Sequence, residues 1–173
     1  MAVDFVSDLG LPFLAHRLRR LSELFVAGAG RWLGEVGVSA PPRSLSTLLL
    51  LKQESGLSVT HIAERLRFTH PLIITLLGDL EAQGLVTTRR DPEDGRRRLA
   101  TLTKAGLLEA QRVEAAAEVI GRAFETLFAE VGADLLDLVS RTEAACEARP
   151  FDERLRLAGD QAAQDRSAAS GSE

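Results

Sequence analysis

Five arginines crowd into ten residues of this sequence: Arg89, Arg90, Arg96, Arg97 and Arg98. A guanidinium stays charged at any physiological pH and presents its donors in a planar fork, which is the chemistry of phosphate binding. On the tip of a hairpin it can also reach into a narrow minor groove of duplex DNA, where the negative potential is deepest. Asp91, Glu93 and Asp94 interrupt the run. A carboxylate is useless to a phosphate, so these are expected to pair with arginines and hold the loop's shape. Upstream lies THPLIITLLGDLEAQ, residues 69–83. At helical period Ile73, Leu76, Leu77 and Leu80 share one side, while His70, Pro71, Ile74 and Thr75 fall largely on the other. A helix that reads DNA offers its outward N-terminal residues to base edges while a preceding helix holds its back.

Other chemistries find little support. His16, His61, His70 and Cys146 lie far apart, with no metal-ligand spacing. There is no glycine-rich phosphate loop and no nucleophile motif. We therefore expect no catalytic residues, no metal and no cofactor.

The elements that must position the arginines and the helix can be read locally. Ser58 is an N-cap for VTHIAERL, with Ile62, Ala63 and Leu66 inward, and Leu57-Ser58 can pair as a minimal strand. Arg67-Phe68 forms the connection and Thr69 a second N-cap; Pro71 is tolerated in a first turn. Gly84 ends that helix as a C′ glycine. Residues 85–89 and 97–102 read as two strands around a turn containing Pro92 and Asp94-Gly95. Thr103 caps a long helix over about 104–131, and Gly132 separates it from a last one over about 133–148, ended by Pro150. On the N-terminal side, an apolar stripe of Leu14, Leu18, Leu21, Leu24, Phe25 and Trp32 predicts a helix from Pro12 to about Val36. A nearly all-apolar helix follows from about Arg43 to Glu54. FDERLRLAG can form one more amphipathic turn or two, but QAAQDRSAASGSE has almost nothing to bury, and residues 151–173 are expected to be a largely disordered tail.

The chain has 173 residues and a net charge of −4, with 45% apolar and 27% charged residues, which fits a folded protein. The charge is unevenly spread. Residues 43–104 carry ten basic against seven acidic groups, and residues 105–173 carry seven against fourteen. Charges beyond a Debye length of roughly 8 Å are largely screened, so the basic centre is what a phosphate would meet. No apolar run approaches a membrane span. The first ten residues hold two aspartates and no signal-peptide pattern. A single cysteine excludes an internal disulfide and suits a reducing compartment, so a cytoplasmic location is expected.

DPEDGRRRLATLTKAG, following DLEAQGLV, resembles the wing and wing-to-helix passage of the MarR family of bacterial transcriptional regulators. The matching positions are Leu80, Glu81, Gly84, Leu85, Val86, Asp91, Asp94, Arg96, Leu102, Thr103 and Gly106. The resemblance covers roughly residues 45–106, and the flanking helices fit the family in length and order. It implies a mainly α fold: a winged helix-turn-helix with a small β-hairpin wing and long N- and C-terminal dimerisation helices. The expected domains are 1–42 (dimerisation helix), 43–104 (DNA-binding domain), 105–150 (dimerisation helices) and the tail. The resemblance also implies a homodimer on double-stranded DNA, a repressor on a pseudo-palindromic operator, and a small aromatic or lipophilic effector. By position, Thr69, His70, Pro71, Leu72 and Thr75 would meet bases and phosphates. Arg96 would enter the minor groove with Asp94 orienting it, and Arg97 would stand beside it. Phe13, His16 and Trp32 could line an effector cleft, with core packing an equal reading for each. One departure stands out: His-Pro-Leu-Ile-Ile-Thr favours apolar contact, for example with a thymine methyl, over bidentate arginine readout of guanine. It leaves open a winged-helix interaction module with weak or no DNA binding.

Overall fold

The computed structural model describes residues 4–92, 94–95 and 97–170. The chain forms two compact units, Met1–Arg122 and Ala123–Glu173.

In the first unit, α1 (Phe5–Leu9) is capped by Asp4, whose carboxylate accepts from the Ser7 hydroxyl at 2.7 Å and pairs with Arg20 of α2 (Leu14–Glu35) at 2.7 Å. Those partners, the Ser7 hydroxyl first, lower the Asp4 pKa to about 2. The N-terminal helix expected from Pro12 is thus preceded by a separate short helix. Gly10, at φ 68°, breaks the two apart, and a single 3₁₀ turn over Leu11–Phe13 leads into α2. A second 3₁₀ turn at Pro42–Ser44 opens α3 (Leu45–Gln53), whose Leu48 and Leu51 are almost wholly buried.

The helix pair follows: α4 (Val59–Leu66) and α5 (His70–Ala82). The sheet is three antiparallel strands in the order β1 (Leu57–Ser58), β3 (Arg98–Leu102), β2 (Val86–Arg90), with Leu57 opposite Ala100 and Thr88 also opposite Ala100 on the other side. Then α6 (Lys104–Val131) begins on the Thr103 cap, whose hydroxyl accepts from Gly106 N at 3.0 Å. A single core joins Leu33 of α2, Leu48 and Leu51 of α3, Ile62 of α4, Ile73, Leu76, Leu77 and Leu80 of α5, the sheet, and Ala110, Val113 and Ala116 of α6. The end of α2 and the start of α6 are therefore built into the winged unit.

Two close approaches fix α6 there. A Cβ on Gly106 would lie 1.9 Å from the Leu85 carbonyl oxygen, so only glycine lets the helix start this close to the sheet. Three residues on, Glu109 is 1% exposed, and its Oε1 accepts from Ala40 N at 2.8 Å, from Ser39 Oγ at 2.8 Å and from Ser39 N. Its other oxygen accepts from Arg112 at 3.1 Å. Burial raises the carboxyl pKa, but the bonds from Ala40, Ser39 and Arg112 outweigh it and the net shift is downward.

The second unit holds the end of α6, then α7 (Leu135–Ala148) and α8 (Phe151–Ser170). Arg154 of α8 donates to the carbonyls of Ala145, at 2.7 Å, and Arg149, at 3.2 Å. The expectation of a disordered tail is overturned, because residues 151–170 are helical. Little of α8 is buried, and the reason is local. The segment is rich in alanine, has Asp152 and Glu153 in the first turn where the helix dipole favours them, and carries an Arg156–Asp152 pair at 2.7 Å one turn apart.

Candidate nucleic-acid interface

The outward face of α5 is set by what its back must bury. Ile73 and Leu80 are fully enclosed and Leu76 and Leu77 nearly so. At 100° per residue this turns Thr69, His70, Pro71, Leu72, Ile74 and Thr75 to solvent, and all six are exposed. The supporting helix α4 starts on Ser58, whose hydroxyl accepts from His61 N at 3.2 Å. It ends on Arg67 in the left-handed region, φ 53°, which reverses the chain towards α5. Thr69 has N-cap geometry but makes no capping bond through its side chain. Pro71 has no amide to offer at the second helical position, and the Thr69 hydroxyl does not take the Leu72 amide at the third. The Thr75 hydroxyl donates back to the Pro71 carbonyl at 3.1 Å.

The hairpin is tied to this helix by a contact the sequence did not reveal. Glu81 of α5 accepts from both the backbone N and the hydroxyl of Thr88, at 3.0 and 2.9 Å. Since β2 is an edge strand with its other side on β3, Glu81 satisfies an amide on the free edge. Nothing in the local pattern marks Glu81 for this, because the contact depends on where the strand passes the helix.

At the loop, Asp91 N donates to the Arg97 carbonyl at 3.0 Å and Arg97 N donates to the Asp94 carbonyl at 2.8 Å. The Asp94 carboxylate pairs with Arg97 Nε at 3.2 Å. Arg96, expected as the minor-groove residue held by Asp94, lies outside the described residues, as does Glu93; among the described residues the arginine that Asp94 holds is Arg97. Arg89, Arg90, Arg97 and Arg98 are all exposed. Between helix and hairpin runs an open groove of about 500 Å³, lined by Ser58 of β1, Thr60 of α4, Ile74, Gly78 and Glu81 of α5, and Thr88, Arg97 and Arg98 of the hairpin.

Phe13, His16 and Trp32 do not meet within this chain. Phe13 and His16 are exposed, whereas Trp32 is half-buried against the core. Sixteen residues of continuous helix, roughly 24 Å, separate His16 from Trp32. A cavity of about 300 Å³ beside α2 is lined by other residues of it, Leu14, Arg17, Leu18, Arg20, Leu21 and Leu24. Among the described residues no three His, Cys, Asp or Glu side chains converge on a point that could hold a metal. Among them, too, no helix is long and apolar enough to cross a membrane.

The family model of the MarR family matches residues 37–97, which span α3, the helix pair and the hairpin loop. No curated protein sequence matches significantly. Among solved structures, the PcaV transcriptional regulator from Streptomyces coelicolor in complex with its natural ligand is similar at 27% identity, over 84% of this chain and 99% of that one, with a TM-score of 0.60. The Staphylococcus aureus (S. aureus) MepR–DNA complex shares the fold at 24% identity, over 78% of this chain and 94% of that one, with a TM-score of 0.57. So does CouR from Rhodococcus jostii RHA1 bound to p-coumaroyl-CoA, at 23% identity, over 86% and 97% of the two chains, with a TM-score of 0.54. The helix pair and the tethered basic hairpin are thus the part of this chain that matches the MarR family model, and the solved regulators share its fold.

Proposed function

We propose that this chain is a sequence-specific DNA-binding transcriptional regulator, a cytoplasmic homodimer that represses by occupying a pseudo-palindromic operator. The observation that carries the reading is the shared groove: Ile74 and Gly78 on the exposed side of α5 and Arg97 and Arg98 of the hairpin line one open groove. In it α5, led by Thr69, His70, Pro71, Leu72 and Thr75, enters a major groove, and Arg97, held by Asp94, lies with Arg96 over the adjacent minor groove. A dimer must present its two α5 helices about one DNA turn, roughly 34 Å, apart. The exposed apolar side chains of the N-terminal helices, Phe5, Leu11, Leu14, Leu18 and Leu24, offer the surface for a second copy.

The relatives bound to a natural ligand and to p-coumaroyl-CoA support a small-molecule effector, and the second of them one of aromatic character. It would act by changing the angle between the dimer helices and the winged units. Trp32 stands at the junction of α2 with the winged core. Phe13 and His16, far along the same helix, would join a cleft only through residues of a second copy.

Fluorescence anisotropy on duplex DNA carrying the chain's own upstream region, run over a salt series, tests the reading. Log affinity should fall linearly with log salt, with a slope of roughly 0.9 per phosphate neutralised. Arg97→Ala should lower that slope by about one unit per subunit. Absence of binding at low salt would overturn it. A second reading, an interaction module without DNA binding, draws on one observation: α5 carries no lysine or arginine.

A further inference from the structure

We infer that Ile74 is a specificity-determining residue, and that it reads the C5-methyl group of a pyrimidine in the major groove. The inference rests on the DNA-binding reading above and adds how bases are told apart.

The argument begins with what α5 can offer. From His70 to Ala82 it has no guanidinium or ammonium, and its charged groups are Asp79 and Glu81, the latter engaged with Thr88. The Thr75 hydroxyl gives its proton to the Pro71 carbonyl. The face is thus poor in the donors that distinguish guanine, whose major-groove edge presents two acceptors. What it does present is hydrocarbon. Ile74 is 59% exposed, the most exposed large apolar side chain of the helix pair, although Ile73 beside it is fully buried. One turn further, Gly78 has no side chain and a Cβ there would meet nothing. Ile74 therefore stands uncovered at the rim of the groove that the hairpin arginines close on the far side.

A single exposed isoleucine is tolerated in water, and removing it from water on binding is favourable. The surrounding charge selects the occupant. Arg89, Arg90, Arg97 and Arg98 attract a polyanion, and the apolar group a polyanionic duplex offers in its major groove is the thymine methyl. A reader of this kind senses the methyl and not the hydrogen-bond pattern, so 5-methylcytosine should replace thymine where cytosine cannot.

The test uses the full chain and the duplex it enriches from a randomised pool. Thymines of that duplex are replaced singly by deoxyuridine, which deletes the C5-methyl and keeps the pairing edge. Covering one methyl is worth about a four-fold change in affinity, and about fifteen-fold when both half-sites of a dimer are altered together. The expected result is one thymine per half-site with that loss in the wild-type chain and none in Ile74→Ala, with melting temperature and salt slope unchanged. Cytosine at that position should lose affinity that 5-methylcytosine restores. Equal affinity for thymine and uracil duplexes in the wild type would overturn the inference and leave DNA binding standing. The same thymine dependence in Ile74→Ala would also overturn it. If no sequence is enriched and no salt-dependent binding is seen, the regulator reading itself falls, and this inference with it.

Discussion

Replacing Glu109 with alanine removes the acceptor shared by the buried Ala40 amide and by the amide and hydroxyl of Ser39, an exposed residue. A buried donor left unmade costs about 1–3 kcal/mol, and losing the Ser39 bonds, which water can replace, adds about 1 kcal/mol. Lost side-chain packing adds about 1 kcal/mol. Against this, the carboxylate no longer has to be desolvated, which returns several kcal/mol in the limiting case of an unpaired ion and less here. The expected net loss is about 2–4 kcal/mol. Glu109→Gln keeps a carbonyl towards Ser39 and Ala40 and forfeits the charge assistance, for a smaller loss of about 1–2 kcal/mol. Urea denaturation followed by circular dichroism and by Trp32 fluorescence measures both. The pH dependence supplies a second check. The folded carboxyl titrates below its ordinary value near 4.5, so the unfolded chain binds the proton first as pH falls. Its contribution is complete above the ordinary value and is lost as pH drops through the folded one. The gap between wild type and Glu109→Gln should therefore narrow on acidification below about pH 4. If both variants stay within about 0.5 kcal/mol of wild type at neutral pH, the carboxylate does not hold the 38–40 loop on α6 and the reasoning fails.

Three further perturbations follow from the same packing. Gly106→Ala drives a methyl into the Leu85 carbonyl and should cost about 3 kcal/mol or more, read as a lowered urea midpoint; a neutral result would show that α6 can shift away freely. Thr47 is fully buried and its hydroxyl has no partner among the described residues, so Thr47→Val should stabilise the chain by about 1 kcal/mol in the same assay, and a loss would reveal a bond the hydroxyl makes. Glu81→Ala releases Thr88 and should lower stability by about 1 kcal/mol while weakening DNA binding, because the hairpin is no longer held at its distance from α5; anisotropy against wild type checks this, and unchanged affinity argues against the tether.

The parts of the site legible in the sequence are those whose physics is local. Ser58 and Thr103 announce their helices because each side chain bonds an amide three residues on. Gly84, at φ 69°, ends α5, and Pro92 with Asp94-Gly95 marks the turn of the hairpin. The exposed face of α5 follows from the period of its buried leucines and isoleucines. Thr69 likewise stands at the cap of its helix, though its hydroxyl makes no capping bond. One misreading was also local. Residues 151–170 have little to bury, and helix propensity with pairs one turn apart is enough for a helix without burial.

By itself, then, the sequence determined the order of elements, the buried back of α5 and the charge of the hairpin. Each depends on neighbours within one or two turns of chain. Only the tertiary structure decided what holds the reading head together. Glu109 meets Ser39 and Ala40 across some seventy residues, Glu81 meets the free edge of β2, and Gly106 admits the Leu85 carbonyl. It also decided that Ile74 stands bare at the rim of the groove. Those facts follow from which surfaces the folded chain brings within hydrogen-bond or van der Waals distance, and no local pattern of residue types encodes such distances.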